Sequence, residues 1–388
     1  EAAPREAPDP VAALRLARSR NVGPATWSRL VARHGSPARA LEALPEIAAQ
    51  GGVRGYAPCA PEAAEAEIAA GEALGARLLI LGAPGYPPAL AGVADPPPVL
   101  WSRGRAEVLS RPAAAIVGGR NASALGLRFA ERVARELGAA GLVVVSGLAR
   151  GVDGAAHRGA LESGTVAVVA GGVDHVYPAE HADLAARILE AGAILSEAPP
   201  GFEPQARHFP RRNRLISGLA RAVLLVEAAA RSGSLITAEY ALEQGREVLA
   251  APGSPLDPRS EGGNRLIRDG ATLARGAEDV LEAIAGFEAA PDLHAELEGA
   301  AAPDGLSEGA APWPGAPRDP ADRAVAAEAE VARLRRRLAT LLGYEPVEED
   351  VLARLADASP AALSDALVEL ELAGRLDRRP GGLVALLP

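Results

Sequence analysis

The chain has 388 residues and is 48% hydrophobic, long enough for two or three domains around a sizeable core, which excludes disorder throughout. It carries 40 basic and 50 acidic residues for a formal charge of -10; every basic residue is Arg, and Lys and Met are both absent, the mark of a strongly G+C-biased coding sequence. An acidic total argues against a nucleic-acid partner, because phosphate binding is driven by cationic side chains that release counterions. The single cysteine, Cys59, permits no internal disulfide. No stretch approaches the roughly 18 apolar residues of a spanning helix or shows a signal-peptide layout, so no membrane span and a cytoplasmic location are expected.

Residues 1–83 read as a helical module. From Val11 to Leu44 short amphipathic helices are interrupted by Asn21-Val22-Gly23-Pro24 and His34-Gly35-Ser36-Pro37, with Leu14, Leu16, Trp27, Leu30 and Val31 available for one face. The Val22-Gly23-Pro24 turn is similar to a helix-hairpin-helix element, whose glycine lets backbone amides approach a DNA phosphate. An ordinary helix-helix turn in a small bundle explains it equally simply and carries more weight.

Residues 84–287 change character. After the Pro-rich Tyr86-Pro87-Pro88 and Asp95-Pro96-Pro97-Pro98, short apolar runs alternate with helical stretches: Ala113 to Val117, Leu142 to Val145, Thr165 to Val169, Ala193 to Leu195, Ala222 to Val226 and Glu247 to Ala250. Each is apolar on both sides and ends at glycine or a polar turn, which fits buried parallel strands of an open Rossmann-like α/β sheet. Residues 288–322, crowded with Ala, Pro, Gly and acids, read as a linker. Residues 323–388 restart periodicity over Arg323 to Leu342, Val347 to Leu355 and Ala361 to Leu372, then end in an apolar strand, the outline of a winged helix. The fold class is therefore α/β, an extended Rossmann-like sheet between a helical N-terminal domain and a winged-helix-like C-terminal domain.

The charge is unevenly spread over these segments. Residues 1–83 hold nine Arg and nine acids, 84–287 hold 21 Arg and 22 acids, and 288–388 hold ten Arg and 19 acids, so -9 of the total lies beyond residue 287. Arg clusters in a neutral core can still form a positive pocket.

Four places could carry chemistry. Strand Ala113 to Val117 runs into Gly118-Gly119-Arg120-Asn121-Ala122-Ser123, where backbone amides at a helix start can face an anion and Arg120 adds a bidentate phosphate donor. The spacing is not GxGxxG, so a dinucleotide is not the default ligand, and a glycine turn also serves close strand-helix packing. Ser146-Gly147-Leu148-Ala149-Arg150 again puts small residues at a strand's carboxyl end. Beyond it, Asp153 is expected to cap the following helix and His157 to be a structural neighbour rather than half of a catalytic pair. The densest cationic stretch, Arg207-His208-Phe209-Pro210-Arg211-Arg212-Asn213-Arg214, interleaves guanidinium forks with an aromatic ring and an amide, as a single-strand binding surface does; a solvated helix start explains the charges alone, and Phe209 as a buried anchor explains the ring. Ser232-Gly233-Ser234 opens another helix and is a third plausible phosphate cradle. The six His are scattered without metal-ligand spacing, so neither a metal nor a cofactor is expected.

In order along the chain, YPPAL at Tyr86, IVGGRNAS at Ile116, SGLARGVDGAAH at Ser146, YPAEH at Tyr177, SEAPPG at Ser196, HFPRRNRLISGL at His208, VEAAARSGSLITA at Val226 and APGS at Ala251 resemble the DprA/Smf (DNA-processing protein A) family over roughly 200 residues. The resemblance implies a non-enzymatic single-stranded DNA binder that protects incoming DNA in natural transformation (competence). It further implies DNA recombination by loading of RecA onto strands coated with single-stranded-DNA-binding protein, and a homodimer built through the Rossmann fold. Carried over by position, it places Gly118, Arg120, Ser123, Ser146, Gly147, Phe209, Arg212, Asn213, Arg214, Ser232, Gly233 and Ser234 around the DNA; Arg150 and Arg211 join them because lysines that relatives place near the groove must here be Arg or absent. Gly119 departs from the Ser or Thr common in the family.

Two other readings remain. Gly233, Thr237 and Glu239 faintly echo nucleotide-cleaving phosphoribohydrolases of similar fold. In the tail, Arg375, Arg378 and Arg379 could form a charged wing and Arg333, Arg335, Arg336 and Arg337 line a helix. The recognition helix there carries Asp365, Glu369 and Glu371 and no Arg, a poor face for a major groove, which favours protein docking or weak wing-only contact with duplex DNA.

Overall fold

Local signals in the first forty residues set a helical entry to the fold. Asp9 accepts the Val11 and Ala12 amides at 3.2 Å and Pro10 sits at the first position of α1 (Pro10–Arg18). Helix α2 (Pro24–His34) ends at Gly35, whose φ of +81° closes the last turn. Then follow α3 (Pro37–Gln50) and α4 (Pro61–Ala73). The computed structural model describes residues 8–289, 331, 333–335, 337, 338, 341–343, 345–379 and 382–387. Its chain divides into two compact units, Glu1–Leu44 with Ala57–Ala285 and Pro45–Tyr56 with Gly286–Pro388.

In the first unit the apolar runs become strands. In chain order come β1 (Ala76–Ile80), α5 (Pro88–Ala91), β2 (Val99–Gly104), β3 (Ala113–Gly118), α6 (Ala124–Ala139), β4 (Val143–Ser146), α7 (Val152–Ala160), β5 (Thr165–Val168), α8 (Ala182–Ala191) and β6 (Ala193–Ser196). They are followed by α9 (His208–Leu219), β7 (Ala222–Val226), α10 (Ser234–Glu243), β8 (Glu247–Ala250), α11 (Glu261–Arg268), β9 (Thr272–Leu273) and α12 (Ala277–Ala289). The sheet order is β1-β2-β6-β5-β4-β3-β7-β8-β9. Pairing from β6 through β9 is parallel, whereas β1 with β2 and β2 with β6 are antiparallel. All six strands expected from the sequence are present. Strands β1 and β2 extend the sheet, and β1 starts it at Ala76, inside the segment assigned to the helical module.

Why the central strands lack alternation is visible in their packing. Ala113, Ala115 and Val117 of β3 join a core formed with α9 and α10, while Ala114 and Ile116 join another formed with α6, α7 and α12. Both faces are buried by helices, so each apolar side chain in β3 and β7 contributes its full transfer energy. At the antiparallel edge, buried Trp101 of β2 donates its indole N–H to Glu67 (2.8 Å), which also receives a bidentate pair from Arg18 at 2.9 and 2.8 Å. A Cβ at Gly71 would lie 2.1 Å from the Trp101 ring, so glycine lets α4 rest on it.

The second unit holds helices Glu349–Ala356 and Pro360–Leu372 and a three-stranded antiparallel sheet, with Leu383–Leu386 between Val347–Glu348 and Leu376–Arg379. Leu334, Leu338, Leu352, Leu363, Leu367 and Val384 fill its core. This is the expected winged helix. Apart from the end of α12, the linker expected over 288–322 lies outside the described residues, as does the start of the helix expected from Arg323.

Candidate functional site

The sheet reverses its order between β3 and β7: β4, β5 and β6 lie on one side of β3, and β7, β8 and β9 on the other. Ligands of open α/β sheets bind outside the carboxyl ends of the strands at such a switch point. Because β3 to β8 are parallel, the turns at 118–123, 147–151, 169–178, 197–207, 227–233 and 251–260 emerge along one edge. Every candidate residue from the sequence lies on this edge or on the first turns of α9 and α10.

Exposed at its mouth is a cluster of rings and a guanidinium. The Arg120 Cζ lies 5.6 Å from the Phe209 ring centroid, and the Tyr177 ring, 54% exposed, lies 5.9 Å from Phe209 at an interplanar angle of 57°. Phe209 is half-buried, so it is an anchor with one usable face. Tyr177 is absent from the residues expected from the sequence; its signal is an aromatic on the loop after β5, on the same strand-end edge.

Below the rings the cationic stretch turns inward, contrary to its reading as a binding surface. Arg212, Asn213 and Arg214 are all buried. Arg212 donates to the carbonyls of Gly147 (2.7 Å) and Val168 (2.5 Å) and to Asn213 Oδ1 (3.2 Å). Burial pulls its guanidinium down to about 10, Asp153 opposing and Arg120 adding to the effect. Asn213 donates to the Gly233 carbonyl at 3.2 Å, tying α9 to the start of α10. Arg214 forms a bidentate pair with Glu197 at 2.9 Å and donates to the Asp95 carbonyl at 2.8 Å, holding the Pro-rich segment that Tyr86 grips through the Pro97 carbonyl at 2.7 Å. Burial raises the Glu197 carboxyl, but Arg214, Arg211 and Arg18 outweigh it and hold the pKa below the ordinary value. These three side chains position the loops. Arg211 faces outward, 63% exposed, with a 3.3 Å contact to Glu197, and Arg207 is exposed as well.

The turn after β4 is built the same way. Asp153 does not cap α7, whose N-cap is Gly151; its carboxylate instead accepts the amides of Gly147 (3.1 Å) and Ala149 (3.3 Å). Burial raises its pKa against the pull of Arg212 and those amides. Ser146 is buried and donates to the Ile116 carbonyl at 2.6 Å. The Ser146 hydroxyl and the Gly147 amide are thus already engaged. Gly151 has φ +78°, and a Cβ there would lie 2.2 Å from the Gly119 carbonyl, so the turns after β3 and β4 touch through glycine. His157 is structural as expected: it is fully buried against Thr165 Oγ1 (2.7 Å), and burial, helped by His181, Arg158 and Arg212, drives its pKa down to about 3.

Ser123 N-caps α6, and both its amide (2.6 Å) and hydroxyl (2.5 Å) are taken by the Glu227 carboxylate. Gly118 and Gly119 pack on β7 so closely that a Cβ would lie 1.9 Å from the Val226 carbonyl and 2.5 Å from that of Glu227, respectively. A Ser or Thr at 119 therefore requires a more open turn. Ser232 and Ser234 bond each other at 2.7 Å beside exposed Gly233. Arg150 forms an exposed pair with Glu180 at 2.8 Å. Of the residues in the nucleotide-cleaving reading, Thr237 is buried and Glu239 is exposed.

In the winged helix, Arg378 pairs with Glu349 and with Glu371 (2.9 Å), Arg335 with Glu369 (2.8 Å) and Arg379 with Asp377 (3.0 Å). The acids of the helix Pro360–Leu372 thus hold cations of their own unit. Among the described residues no group of three or more His, Cys, Asp or Glu could hold a metal ion, and no helix is long and apolar enough to cross a membrane.

Together these features define a class, a Rossmann-type open-sheet protein with a switch-point crevice, a helical module before it and a winged helix after it. The chain belongs to the DNA recombination-mediator protein A family, which matches residues 77–285; the DprA-like N-terminal HHH domain matches 8–70 and the DprA winged helix domain 320–382. It is 40% identical over 305 residues to Protein Smf of Escherichia coli, covering 78% of this chain and 75% of the relative. A solved structure of DNA processing protein A from Streptococcus pneumoniae superposes with a TM-score of 0.60 at 35% identity, over 70% of this chain and 96% of that one. The Helicobacter pylori protein, whose structure is described for a single-stranded DNA binding mode, has a TM-score of 0.50 at 29% identity, over 55% of this chain and 96% of that one. The family expected from the ordered motifs is the family found.

Proposed function

We propose that this chain binds single-stranded DNA along the carboxyl edge of β3 to β8, holds it without cleaving it, and presents it in the cytoplasm for RecA to load where single-stranded-DNA-binding protein covers the strand. The observation that carries the reading is the cluster of Tyr177, Phe209 and Arg120 at the switch point. Splayed bases stack on aromatic faces and guanidinium planes, which a duplex cannot offer because its bases are already stacked. Arg120 reaches phosphate or base from a turn held at Gly119, whose amide donates to the Val226 carbonyl and whose carbonyl accepts from the Val152 amide, both at 3.2 Å. The recombination-mediator family and the Helicobacter pylori structure support the same reading.

A homodimer adds a second edge, and two linked edges raise apparent affinity through effective concentration. With Arg335, Arg378 and Arg379 tied to acids of its own unit, the winged helix serves protein docking, with at most weak duplex contact through Arg375 and Arg379.

The decisive experiment is photocrosslinking of a 5-iodouracil oligonucleotide, followed by peptide mapping, beside matched duplex. Crosslinks at Phe209 or Tyr177, lost on adding unlabelled oligothymidine but not duplex, are expected. Crosslinks confined to residues 331–387, or equal competition by duplex, would overturn the reading.

A further inference from the structure

We infer that Glu227 is a specificity-determining residue that closes the deep phosphate subsite of this fold with its own carboxylate, so that the site takes a strand and rejects a free nucleotide. In open α/β sheets a nucleotide's phosphate sits at the N-terminus of the helix after the central strand, on unpaired amides and the positive end of the helix dipole. Here that helix is α6, sixteen residues long, following β3 at the switch point.

The capping hydroxyl and two of the backbone amides at its start are already used. Glu227 Oε2 accepts the Ser123 amide at 2.6 Å, Oε1 accepts the Ser123 hydroxyl at 2.5 Å, and Ser123 Oγ accepts the Gly126 amide at 3.0 Å. The carboxylate lies directly on the helix end, because a Cβ at Gly126 would fall 2.6 to 2.9 Å from its Cδ, Oε1 and Oε2. A planar group with two anionic oxygens therefore stands where a phosphate would.

The backbone is bent to bring it there. Glu227 follows β7, the neighbour of β3, and has φ +49°, a left-handed conformation that a non-glycine residue seldom adopts. Strain of this kind persists where the surroundings over-determine it, and it clusters at functional sites. Turned this way, the side chain crosses from the end of β7 to the start of α6.

The consequence is a division by ligand size. A mononucleotide or dinucleotide depends on one deep phosphate subsite, and that subsite is filled by an anion that repels another. A single strand draws on several shallow contacts, at Arg120 and the aromatic rings, and does not need it. Only this last step rests on the single-strand reading.

The test is calorimetry of the full chain with ADP, with pyrophosphate as competitor, in wild type, Glu227→Gln, Glu227→Ala and Glu227→Gly, after thermal melting establishes folding. Glu227→Gly relieves the left-handed strain and serves should Glu227→Ala not fold. Removing the carboxylate should tighten ADP binding by about tenfold or more, as expected for an anion gaining a helix N-terminus, with pyrophosphate competing. Glu227→Gln should gain less, and oligothymidine affinity should not fall. Folded Glu227→Gly binding ADP no more tightly than wild type would overturn the inference, as would wild type binding ADP in competition with pyrophosphate. Failure of wild type to bind oligothymidine removes the proposed function and leaves the ADP comparison standing.

Discussion

Arg120 and Arg212 both flank Phe209, at 5.6 and 5.9 Å from its ring, yet the structure gives them opposite roles that two substitutions separate. Arg212→Ala strips hydrogen bonds from the carbonyls of Gly147 and Val168 and leaves Asp153 buried without its neighbouring cation. Leaving a buried acceptor without its donor costs about 1–3 kcal/mol each, so losing the guanidinium from both carbonyls costs a few kcal/mol. In a unit of this size that lowers the melting temperature by about 10 °C. Because the guanidinium is buried, its loss removes no phosphate contact, so the fraction that folds should keep the wild-type salt dependence. Arg120→Ala does the reverse: it is exposed and loses at most a ring contact of about 0.5–1 kcal/mol. One phosphate contact to a single strand is worth about 0.7 in the slope of log K against log salt, and Arg120→Ala should flatten the slope by that amount. Differential scanning calorimetry and anisotropy titrations of labelled oligothymidine at several salt concentrations measure both. An Arg212→Ala protein that melts like wild type and shows the flatter slope would refute the assignment of buried and exposed roles.

Phe209→Ala and Tyr177→Ala should each weaken oligothymidine binding by about 1–3 kcal/mol, the worth of one stacked base, with little effect on an abasic oligonucleotide of equal length; equal losses on both ligands would mean that the rings only shape the loop. Gly151→Ala places a methyl 2.2 Å from the Gly119 carbonyl in a left-handed conformation, so it should separate the turns after β3 and β4 and lower both stability and DNA affinity, seen in urea unfolding and anisotropy. His157 has a folded pKa of about 3 against an ordinary 6.5, so the unfolded chain binds the proton first as pH drops. Its contribution is complete above about 6.5 and is lost toward pH 3 at up to about 1.4 kcal/mol per pH unit; Glu197, also depressed, acts in the same direction at lower pH, so the check is the difference in urea midpoint between wild type and His157→Gln from pH 7 to 4.5, which should narrow on acidification.

The parallel strands were legible because burial on both faces demands unbroken apolar runs, and β3 and β7 supply them. Strand β2 was hidden by the prolines before it and by Ser102 and Arg103 within it, and β1 by the Ala-rich helix running into it; an antiparallel edge needs fewer apolar residues. The inward turn of the cationic stretch was legible in part. Arg212, Leu215, Ile216 and Leu219 recur at the three-and-four spacing of one helix face, and the last three belong to the core, so Arg212 stands on the buried stripe while Arg211 falls outside it. No period reveals Glu227, because its role depends on a left-handed residue reaching a neighbouring strand's helix, a relation fixed by sheet order alone.

That stripe also bears on how an acidic protein would hold DNA. Near its strand-end edge, Arg150, Arg214 and Arg259 are paired with Glu180, Glu197 and Asp257. Arg120, Arg207 and Arg231 are exposed there with no carboxylate partner among the described residues, and Arg211 has only the longer Glu197 contact. Four guanidinia at about 0.7 each limit the slope of log K against log salt to roughly -3 for one copy. The rest of the affinity must come from stacking, which salt does not screen, so binding should persist at ionic strengths that release proteins relying on many phosphate contacts. A slope near -6 would show that a second copy contributes its own edge to the same strand, and sedimentation of the complex at that salt would show the corresponding mass. A slope near -3 together with affinity collapsing in moderate salt would contradict the stacking account, because it leaves the aromatic cluster without an energetic role.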